Sequence, residues 1–372
     1  MSSHFDIWNT LYGAWLSGET SALATVVRTH GSAPRPTGSV MLLTPEGRVM
    51  GSVSGGCVEG DVLERARETI LKGIRQQATY GIGDDDAFAL SLTCGGTLDV
   101  LVEPVDVHSF PELAEVVETV RAGTPVAVAT VLNHPRSQAV GAHVIVRADG
   151  YHSSSYPLDT ATDFVDDARN WLHRGKSGLL TDELTNVRVL VRSFVPQPRM
   201  LLFGAGDFAA ALASIGRAMD YRVTVCDARP LFATADRFPD ADDVVVAWPD
   251  EYLTQEATAG RVDPRTVIVS FTHDAKFDLP LLEAALQLDV AFVGALGSRA
   301  TRERRVEALR KSGVPDDALA RLSSPVGLDL GGHSPAETAI SIAAEIIAVR
   351  YGGRGERLSH RDGPVHLLPH AV

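Results

Sequence analysis

Five short apolar runs follow one another in the second half of the chain, and they restrict the fold more than any other feature. They read MLLF, RVTVC, DVVVA, TVIVSF and VAFVG, and stretches with helical character separate them. Continuous apolar strands are typical of a sheet that is covered on both faces. Each separating stretch is long enough for a parallel crossover. We therefore predict a doubly wound parallel sheet over residues 197–352.

A glycine motif lies at the first strand-to-helix junction of this sheet. Gly204, Gly206 and Ala209 form a G-x-G-x-x-A pattern in RMLLFGAGDFAAAL. The first glycine permits a tight turn, the second lets the backbone approach a pyrophosphate, and the small third residue lets helix and strand pack closely. Asp227 ends the next strand, about 20 residues on, where an acid would bind a ribose 2′-hydroxyl. The pattern predicts a Rossmann-like nucleotide site.

The sequence leaves the preference of this nucleotide site open. Asp227 favours an unphosphorylated ribose, whereas Arg229 could accept a 2′-phosphate, so NAD and NADP are both candidate cofactors. His273 and Asp274 follow the fourth apolar run, where they could face the ligand, although Asp274 could equally cap the next helix. The alternative is a fold that persists with a degenerate nucleotide site.

Two later segments of this half also carry recognisable signals. GALGSRATRERR places several arginines in the first turns of a helix, which favours either a nearby anion or a solvated face. These are Arg299, Arg302, Arg304 and Arg305. A final helix starts with Ser334 as its cap and Glu337 in a capping box, and its core face is expected at Ile340, Ala343, Ile347 and Val349. Cys226 is expected to be a small core residue.

Residues 1–196 show strands and helices without regular alternation, which predicts a mixed α/β domain. The expected elements are helices over 5–16, 58–71, 111–121 and 163–173, a strand over 22–29, a hairpin with its turn at 45–47, and a last strand within 187–200. Prolines near 196–198 suggest a domain boundary there. Residues 353–372 lack periodicity, and we expect a mobile tail.

Two glycine-flanked cysteines are the unusual feature of the first domain. Cys57 follows Gly55 and Gly56 in GSVSGGCVEGD, directly before a predicted helix, and Cys94 precedes Gly95 in LTCGGTLDV. Free amides and the dipole at a helix start lower the pKa of a thiol, while the nearby acids of the first loop act in the opposite direction. Neither loop has C-x-x-C spacing or a neighbouring histidine, which argues against structural zinc.

These loops allow two interpretations. The cysteines are either small residues in tight turns or part of a site that binds an anionic ligand. The segment RTHGSAPRPTG offers Arg28, His30 and Arg35 as contacts for a phosphate-bearing cofactor. No fixed cysteine–histidine pairing can be read from the sequence, so thiol hydrolysis has little support.

Composition narrows the class of partner. The formal net charge is −13, which repels nucleic acid and anionic membrane surfaces. No apolar run approaches the length of a membrane span, and no export signal is visible at the start. Three cysteines are too few for a disulfide framework. We expect a cytoplasmic protein.

Several long motifs resemble those of the xanthine dehydrogenase accessory (XdhC/CoxI) family. ATVVRTHGSAPRPTGSVMLL, GSVSGGCVEGDV and LTCGGTLDVLVEP are similar to its first domain. LLFGAGDFAAALA, VCDARPLFATADRFPDAD, THDAKFDLPLLEAAL, FVGALGSRATRERRVEALRKSG and PVGLDLGGHSPAETAISIAAEIIAVR are similar to its second, Rossmann-type domain. The resemblance extends from about residue 20 to residue 350.

The resemblance implies an accessory protein that binds molybdenum cofactor (molybdopterin) and supports its sulfuration and insertion into a xanthine dehydrogenase-type molybdenum hydroxylase. A cysteine desulfurase would be a second partner, and a homodimer is expected. Cys57 is then the candidate for holding the cofactor, as a molybdenum ligand, with the following residues around it: Gly55, Gly56, Cys94, Gly95, Arg28 and Arg35.

One residue departs from the family pattern. The family usually has histidine where this chain has Asp207, and an acid is unfavourable beside a pyrophosphate. An NAD(P)-dependent oxidoreductase is the alternative function, and its nucleotide site would comprise Gly204, Gly206, Asp207, Asp227, His273 and Asp274. Whether the chain has catalytic activity is left open.

Overall fold

The computed structural model describes residues 3–31, 35–81, 96–156 and 162–360. The chain divides into two compact units, built on Met1–Pro196 and Gln197–Asp362. Within the described ranges, no helix is both long enough and apolar enough to cross a membrane. The expected tail is described only as far as residue 360, and its residues from 353 onward are exposed there. Cys94 and Gly95 lie outside the described residues.

The N-terminal unit combines helices with two sheets. Its helices are α1 (Ser3–Leu16), α2 (Glu59–Lys72), α3 (Leu113–Arg121) and α4 (Thr162–His173). Its strands are β1 (Ser21–His30), β2 (Val40–Leu43), β3 (Val49–Gly51), β4 (Gln76–Tyr80), β5 (Thr97–Val105), β6 (Val126–Asn133), β7 (His143–Val146), β8 (Tyr151–His152), β9 (Gly178–Asp182) and β10 (Val187–Phe194). The predicted hairpin turn is confirmed, and α2 ends at Gly73 in a left-handed conformation.

The ten strands form two antiparallel five-stranded sheets. Sheet A has the order β3-β2-β1-β5-β4, and sheet B has the order β8-β7-β6-β10-β9. The central strands β1, β5 and β6 are buried along most of their length, and successive side chains point to opposite faces, so each sheet is buried on both faces there. Leu23 of sheet A and Val128 of sheet B share one core, whereas α2 covers the opposite face of sheet A and α4 that of sheet B. The two sheets thus share a core to which α1 and α3 also contribute, and α2 and α4 cover the outer faces.

A cluster of charged side chains is buried between the two sheets. Glu103 of β5 accepts from Arg192 of β10 (3.4 Å) and from Arg75 (3.3 Å). His143 of β7 lies 3.7 Å from the same carboxylate, stacks on Phe110 and contacts the hydroxyl of Thr130. A buried carboxylate is tolerated only when it is paired. Arg192 reaches Glu103 from sheet B, and Arg75 also donates to the carbonyl of Gly141 just before β7 (2.9 Å), so both guanidinium groups link the two sheets.

Burial sets the protonation of this cluster. It lowers the pKa of His143 from 6.5 to about 4, although Glu103 acts in the opposite direction and the two arginines assist. Burial would raise the pKa of Glu103, but His143, Arg192 and Arg75 hold it below 4.5. The native cluster therefore contains a neutral imidazole and an ionised carboxylate at neutral pH.

The C-terminal unit alternates strands and helices as predicted. Its strands are β11 (Arg199–Phe203), β12 (Arg222–Asp227), β13 (Asp243–Val246), β14 (Val267–Ser270), β15 (Phe292–Ala295) and β16 (Leu322–Ser323). Its helices are α5 (Asp207–Ala218), α6 (Pro249–Thr258), α7 (Ala275–Gln287), α8 (Arg299–Lys311), α9 (Asp316–Ala320) and α10 (Pro335–Tyr351). The predicted last strand within 187–200 is instead two strands, β10 and β11, one in each unit.

The six strands form a Rossmann-like parallel sheet of order β13-β12-β11-β14-β15-β16. In this order the strands run outward from the centre in two opposite directions, β11 to β13 on one side and β14 to β16 on the other, so the switch point lies between β11 and β14. Along β11, Met200 and Leu202 face a core with α5 and α10, while Leu201 and Phe203 face a core with α6, α7 and α8. Both faces of the sheet are covered, which confirms the predicted fold.

Two expectations about this unit's helices are corrected. Arg305 is not part of a solvated or anion-binding face, because it is buried and donates to Asp278 (2.6 Å), Ser324 and the Leu296 carbonyl. In α10, whose capping box is confirmed, Ile340, Ile347 and Val349 are exposed. The buried positions are Ala339, Ile342, Ala343 and Ile346. The small alanines let α10 approach α5, which rotates the predicted apolar face by about one residue.

Cys226 is a core residue, as expected. Its thiol contacts the carbonyl of Ala247 (3.6 Å), and burial, followed by the nearby Asp227, raises the pKa of the thiol to about 12. A thiol in this state is not a nucleophile or a metal ligand at neutral pH.

The buried cluster predicts an acid-sensitive N-terminal unit. Unfolded histidine takes up a proton below about pH 6.5, whereas folded His143 stays neutral until about pH 4. The unfolding free energy of this unit should therefore decrease as the pH is lowered from about 6.5 to about 4. The loss should approach about 3 kcal/mol. His143→Gln should flatten the dependence between these pH values, as measured by denaturant unfolding followed at a tryptophan of this unit. The exposed His173→Gln variant is the control, and an unchanged slope in His143→Gln would contradict the assignment.

Candidate functional site

Three loops leave the same edge of sheet A. Strands β1, β3 and β4 end at this edge, and β2 and β5 begin there, because neighbouring strands are antiparallel. The connecting segments at this edge are 31–39, 52–58 and 81–96. We call this the loop edge of sheet A. The residues expected to hold a cofactor lie in or beside these three segments, although the sequence separates them widely.

The glycine loop, residues 52–58, is folded around the carboxylate of Glu59. One carboxylate oxygen accepts from the Ser52 hydroxyl (2.7 Å) and from the amides of Ser54 and Gly55 (2.9 Å each). The other accepts from the Gly56 amide (2.8 Å) and from the Ser54 hydroxyl. Burial would raise the pKa of Glu59, but the hydroxyls of Ser54 and Ser52 and the Ser54 amide lower it to about 2. The loop therefore encloses an internal anion.

This contact changes the interpretation of the loop amides. The sequence suggested that the amides near Cys57 are free to bind an anionic cofactor, but those of Ser54, Gly55 and Gly56 already donate to Glu59. Glu59 is the first residue of α2, and its place in the loop was missed because an acid in a first helical turn is common. Its only sequence signal is its position a few residues after two serines.

Both glycines of the loop have left-handed backbone conformations. Gly55 has φ of 77° and Gly56 has φ of 124°, values that other residues rarely adopt. A Cβ atom at either position would meet no atom within 4 Å, so the space beside both glycines is open. The loop thus presents bare backbone to its surroundings, next to Cys57.

Cys57 lies at the start of α2, as predicted. It precedes Val58, the N-cap residue, and it is partly exposed at the margin of the core between α2 and sheet A. It therefore differs from the fully buried Cys226. A partly exposed thiol beside open glycines is accessible to a ligand without any unfolding of the core.

The segment that carries Cys94 joins the same edge. Its two described ends are adjacent, since a Cβ on Gly81 would lie 3.2 Å from the carbonyl of Gly96. The strand before it ends at Tyr80, whose hydroxyl donates to Asp61 in the first turn of α2 (2.6 Å). The ends of this segment therefore lie near the end of α2 at which Cys57 is placed. A cleft shared by the two cysteines stays a prediction.

The basic residues of the first segment are also near this edge. Arg28 of β1 pairs with Asp99 of β5 (2.8 Å), and its side chain keeps 61% of its surface exposed. His30 ends β1 opposite Thr97, and both His30 and Arg35 are exposed. Arg28 is thus partly neutralised, whereas its exposed surface still allows contact with a second anion.

The second candidate site lies at the carboxyl edge of the parallel sheet. Gly204 has φ of 107°, and a Cβ there would lie 3.1 Å from the backbone that follows β14. A Cβ on Gly206 would meet no atom within 4 Å, so the space that a pyrophosphate would take is open. Asp207, the first residue of α5, is exposed beside it. The expected close-turn and close-approach roles of the two glycines fit this geometry.

Asp227 is buried and already bonded. It accepts from the Ala205 amide (2.7 Å) and from the amide, Nε and Nη2 of Arg229 (2.9, 2.9 and 2.7 Å). Burial would raise the pKa of Asp227, but Arg229 and the Ala205 amide lower it. The acid that the sequence assigned to a ribose hydroxyl is thus held by the arginine two residues later.

His273 and Asp274 follow β14, beside the switch point between β11 and β14, as expected from the strand order. His273 is exposed. Asp274 is the N-cap of α7, where it accepts from the Lys276 amide (3.1 Å) and pairs with the Lys276 side chain. The capping alternative therefore describes Asp274 in this structure. Among the described residues, no group of three or more acidic, histidine or cysteine side chains is arranged to hold a metal ion.

The family models that match this chain both describe XdhC-type domains. The model of the XdhC and CoxI family matches residues 14–81, and the model of the XdhC Rossmann domain matches residues 200–346. A Bacillus subtilis protein, named as a probable subunit of xanthine dehydrogenase, is 29% identical over 92% of this chain and 97% of its own length. The molybdenum cofactor insertion chaperone PaoD from Escherichia coli is 26% identical over 91% of this chain and 86% of its own.

A solved structure shares the whole architecture. It is described as a xanthine dehydrogenase from Bacillus halodurans, is 26% identical, and superposes with a TM-score of 0.66. The match covers 97% of this chain and 98% of that chain. The likeness therefore includes both units.

The contacts of Glu59 predict that it holds the glycine loop. Glu59→Gln should lower the unfolding free energy by about 1–3 kcal/mol, because an amide group cannot accept from all five groups that donate to the carboxylate. It should also speed hydrogen exchange at the amides of Gly55 and Gly56. The exposed Glu64→Gln change, which breaks only a surface pair with Arg67, should alter neither quantity appreciably. Equal effects of the two changes would contradict the role of Glu59.

Proposed function

Because the chain belongs to the XdhC and CoxI family, we propose that it binds molybdenum cofactor as a cargo and delivers it to an apo-enzyme of the xanthine dehydrogenase type. The observation that supports this most is the loop edge of sheet A. There the partly exposed Cys57, the open backbone of Gly55 and Gly56 and the described flanks of the Cys94 segment lie together. A relative that carries the name of a molybdenum cofactor insertion chaperone spans 91% of the chain.

The proposed site recognises an anionic cargo through side chains. The loop amides are taken by Glu59, so positive charge must come from elsewhere. Arg28 and Arg35 are exposed beside the same edge, and a guanidinium group binds phosphate through paired charge-assisted hydrogen bonds. In a chain with a net charge of −13, such local positive charge is needed to attract a phosphate-bearing pterin.

Cys57 is the residue that would hold the cargo in the site. In this proposal its thiolate is a ligand to molybdenum, and thiolates are soft ligands of transition metals. Its partly exposed position in front of α2 would let the cargo reach it from the surface and leave again.

The proposal extends to sulfuration and transfer. A cysteine desulfurase would donate sulfur to the held cofactor, and the loaded protein would then contact the molybdenum hydroxylase. An open loop edge is compatible with both steps, because each partner must reach the cofactor at the surface. We also propose a homodimer in the cytoplasm.

The alternative function, an NAD(P)-dependent oxidoreductase, is not favoured by the comparisons. The Rossmann-like unit keeps the open space beside Gly206, so we include nucleotide binding at this unit in the proposal, as a supporting role in cofactor handling. We propose no hydride transfer there. Among the described residues, Asp274 caps a helix and Asp227 is bonded to Arg229, which leaves neither acid free for proton transfer.

The cargo role predicts a cysteine-specific loss. Protein purified from cells that make molybdenum cofactor should contain molybdenum and pterin, and Cys57→Ala should lose most of both. Cys226→Ala, which removes a thiol from the buried core, should retain them at the wild-type level. Elemental analysis and fluorescence of the oxidised pterin measure the two contents. Equal retention by wild type and Cys57→Ala would remove Cys57 from the site, and absence of cofactor from all three proteins would contradict the proposal itself.

A further inference from the structure

We propose that the Rossmann-like unit selects a nucleotide whose ribose carries a phosphate at the 2′ position, as in NADP, over the unphosphorylated form. The inference rests on the nucleotide-binding part of the proposed function, and it is independent of the cargo site in the other unit. Its basis is the arrangement of Asp227, Arg229, Phe232 and Arg237 at the carboxyl end of β12, beside the open space at Gly206.

Asp227 has no capacity left for a ribose hydroxyl. An ionised carboxylate offers about four acceptor positions, and each oxygen of Asp227 already accepts two hydrogen bonds. One oxygen accepts from the amide and Nε of Arg229, and the other from Nη2 of Arg229 and the Ala205 amide. A ribose 2′-hydroxyl could bind there only after Arg229 had left. The bonds between Arg229 and Asp227 therefore disfavour the unphosphorylated ribose that an acid at this position usually selects.

Arg229 itself keeps donors that a further anion could use. Its bonds to Asp227 use two of the five N–H groups of its guanidinium. Within the described ranges, the other three donate to no protein atom, and 54% of the side-chain surface is exposed. Because Asp227 fixes the plane of the guanidinium, little conformational freedom is lost when a phosphate binds its outer edge.

An exposed aromatic ring supports this arginine from one side. The guanidinium carbon of Arg229 lies 4.3 Å from the ring centroid of Phe232, and that of Arg237 lies 5.4 Å from the same ring. Arg237 also donates to the Phe232 carbonyl (3.3 Å). Both guanidinium groups thus lie near one exposed ring, where a phosphate could contact them together.

The position of the cluster within the fold matches a ribose phosphate and not a pyrophosphate. The pyrophosphate position of a Rossmann fold is the glycine turn and the start of the first helix, here Gly206 and Asp207. The cluster follows β12, the strand whose end faces the ribose in this strand order. The exposed carboxylate of Asp207 weakens the first position, so the arginines at the second position would supply most of the electrostatic attraction.

Calorimetry with two matched nucleotides tests the inference. Adenosine 2′,5′-bisphosphate should bind wild-type protein at least about tenfold more tightly than 5′-AMP, because a charge-assisted bond to the extra phosphate has that strength. Arg229→Ala should remove the preference, since it deletes the phosphate contact and frees Asp227 for a hydroxyl. Arg229→Lys should lose part of it, because lysine cannot hold both Asp227 and a phosphate in a fixed fork.

Arg222→Ala is the matched control. Arg222 lies at the other end of the same strand, pairs with Asp243 (2.9 Å) and is as exposed as Arg229. This variant should keep the full preference for the bisphosphate. Inorganic phosphate should compete only weakly, which separates recognition of a nucleotide from capture of free phosphate.

Several results would overturn the inference. They are equal affinity of wild type for the two nucleotides, no binding of either, equal binding of inorganic phosphate, and an unchanged preference in a folded Arg229→Ala protein. If that variant unfolds, the Arg229→Lys result decides. The molybdenum and pterin content of the wild-type protein is a separate measurement, so failure of this selectivity and failure of the cargo site are distinguishable.

Discussion

The alternating direction of the strands in sheet A is the constraint on which the candidate cargo site depends. Three strands end at one edge and two begin there, and α2 starts at the same edge because it returns to β4. The glycine loop, residues 52–58, and the described ends of segments 31–39 and 81–96 thereby lie at one edge. The two faces of sheet A are buried, one in the core shared with sheet B and the other against α2. The loops at this edge can therefore vary in sequence without loss of core packing.

Within this edge, Glu59 gives the glycine loop a defined shape. Loops with two left-handed glycines have high conformational entropy when unfolded, and a single carboxylate with four or more donors offsets that cost locally. The same bonds remove three amides from ligand recognition. The thiol of Cys57 and the nearby arginines are then the groups through which the site could distinguish its cargo, which is a different solution from an amide-lined phosphate loop.

The C-terminal unit repeats this pattern with other residues. Asp227 fixes the turn after β11 through the Ala205 amide and fixes Arg229 through its side chain. An acid that is usually read as a ligand contact is here a structural support for an arginine. In both units a buried or half-buried carboxylate therefore organises a glycine turn, and the group left exposed beside it, Cys57 or Arg229, is the candidate for binding.

The sequence was sufficient for what depends on local pattern. The parallel sheet, the glycine turn at Gly204 and the start of α2 after Cys57 follow from periodicity, glycine conformations and helix signals that act over a few residues. The sandwich of sheets A and B was not predicted, because both sheets are antiparallel with two buried faces, and their strands lack a distinctive period. The pairing of Glu103 with Arg192 joins residues far apart in the chain, which no local signal reveals. The structural roles of Glu59 and Asp227 were not predicted from the sequence, because each acid had an ordinary local explanation. Only the backbone geometry shows which amides donate to each carboxylate.

The central claim is that the cargo binds at the loop edge of sheet A. The most direct measurement is a hydrogen–deuterium exchange map of the protein with and without bound molybdenum cofactor. The account predicts slower exchange in peptides that cover 31–39, 52–58 and 81–96, with little change at the carboxyl edge of the parallel sheet. Protection confined to the turns after β11 and β12, with none in these three segments, would contradict it.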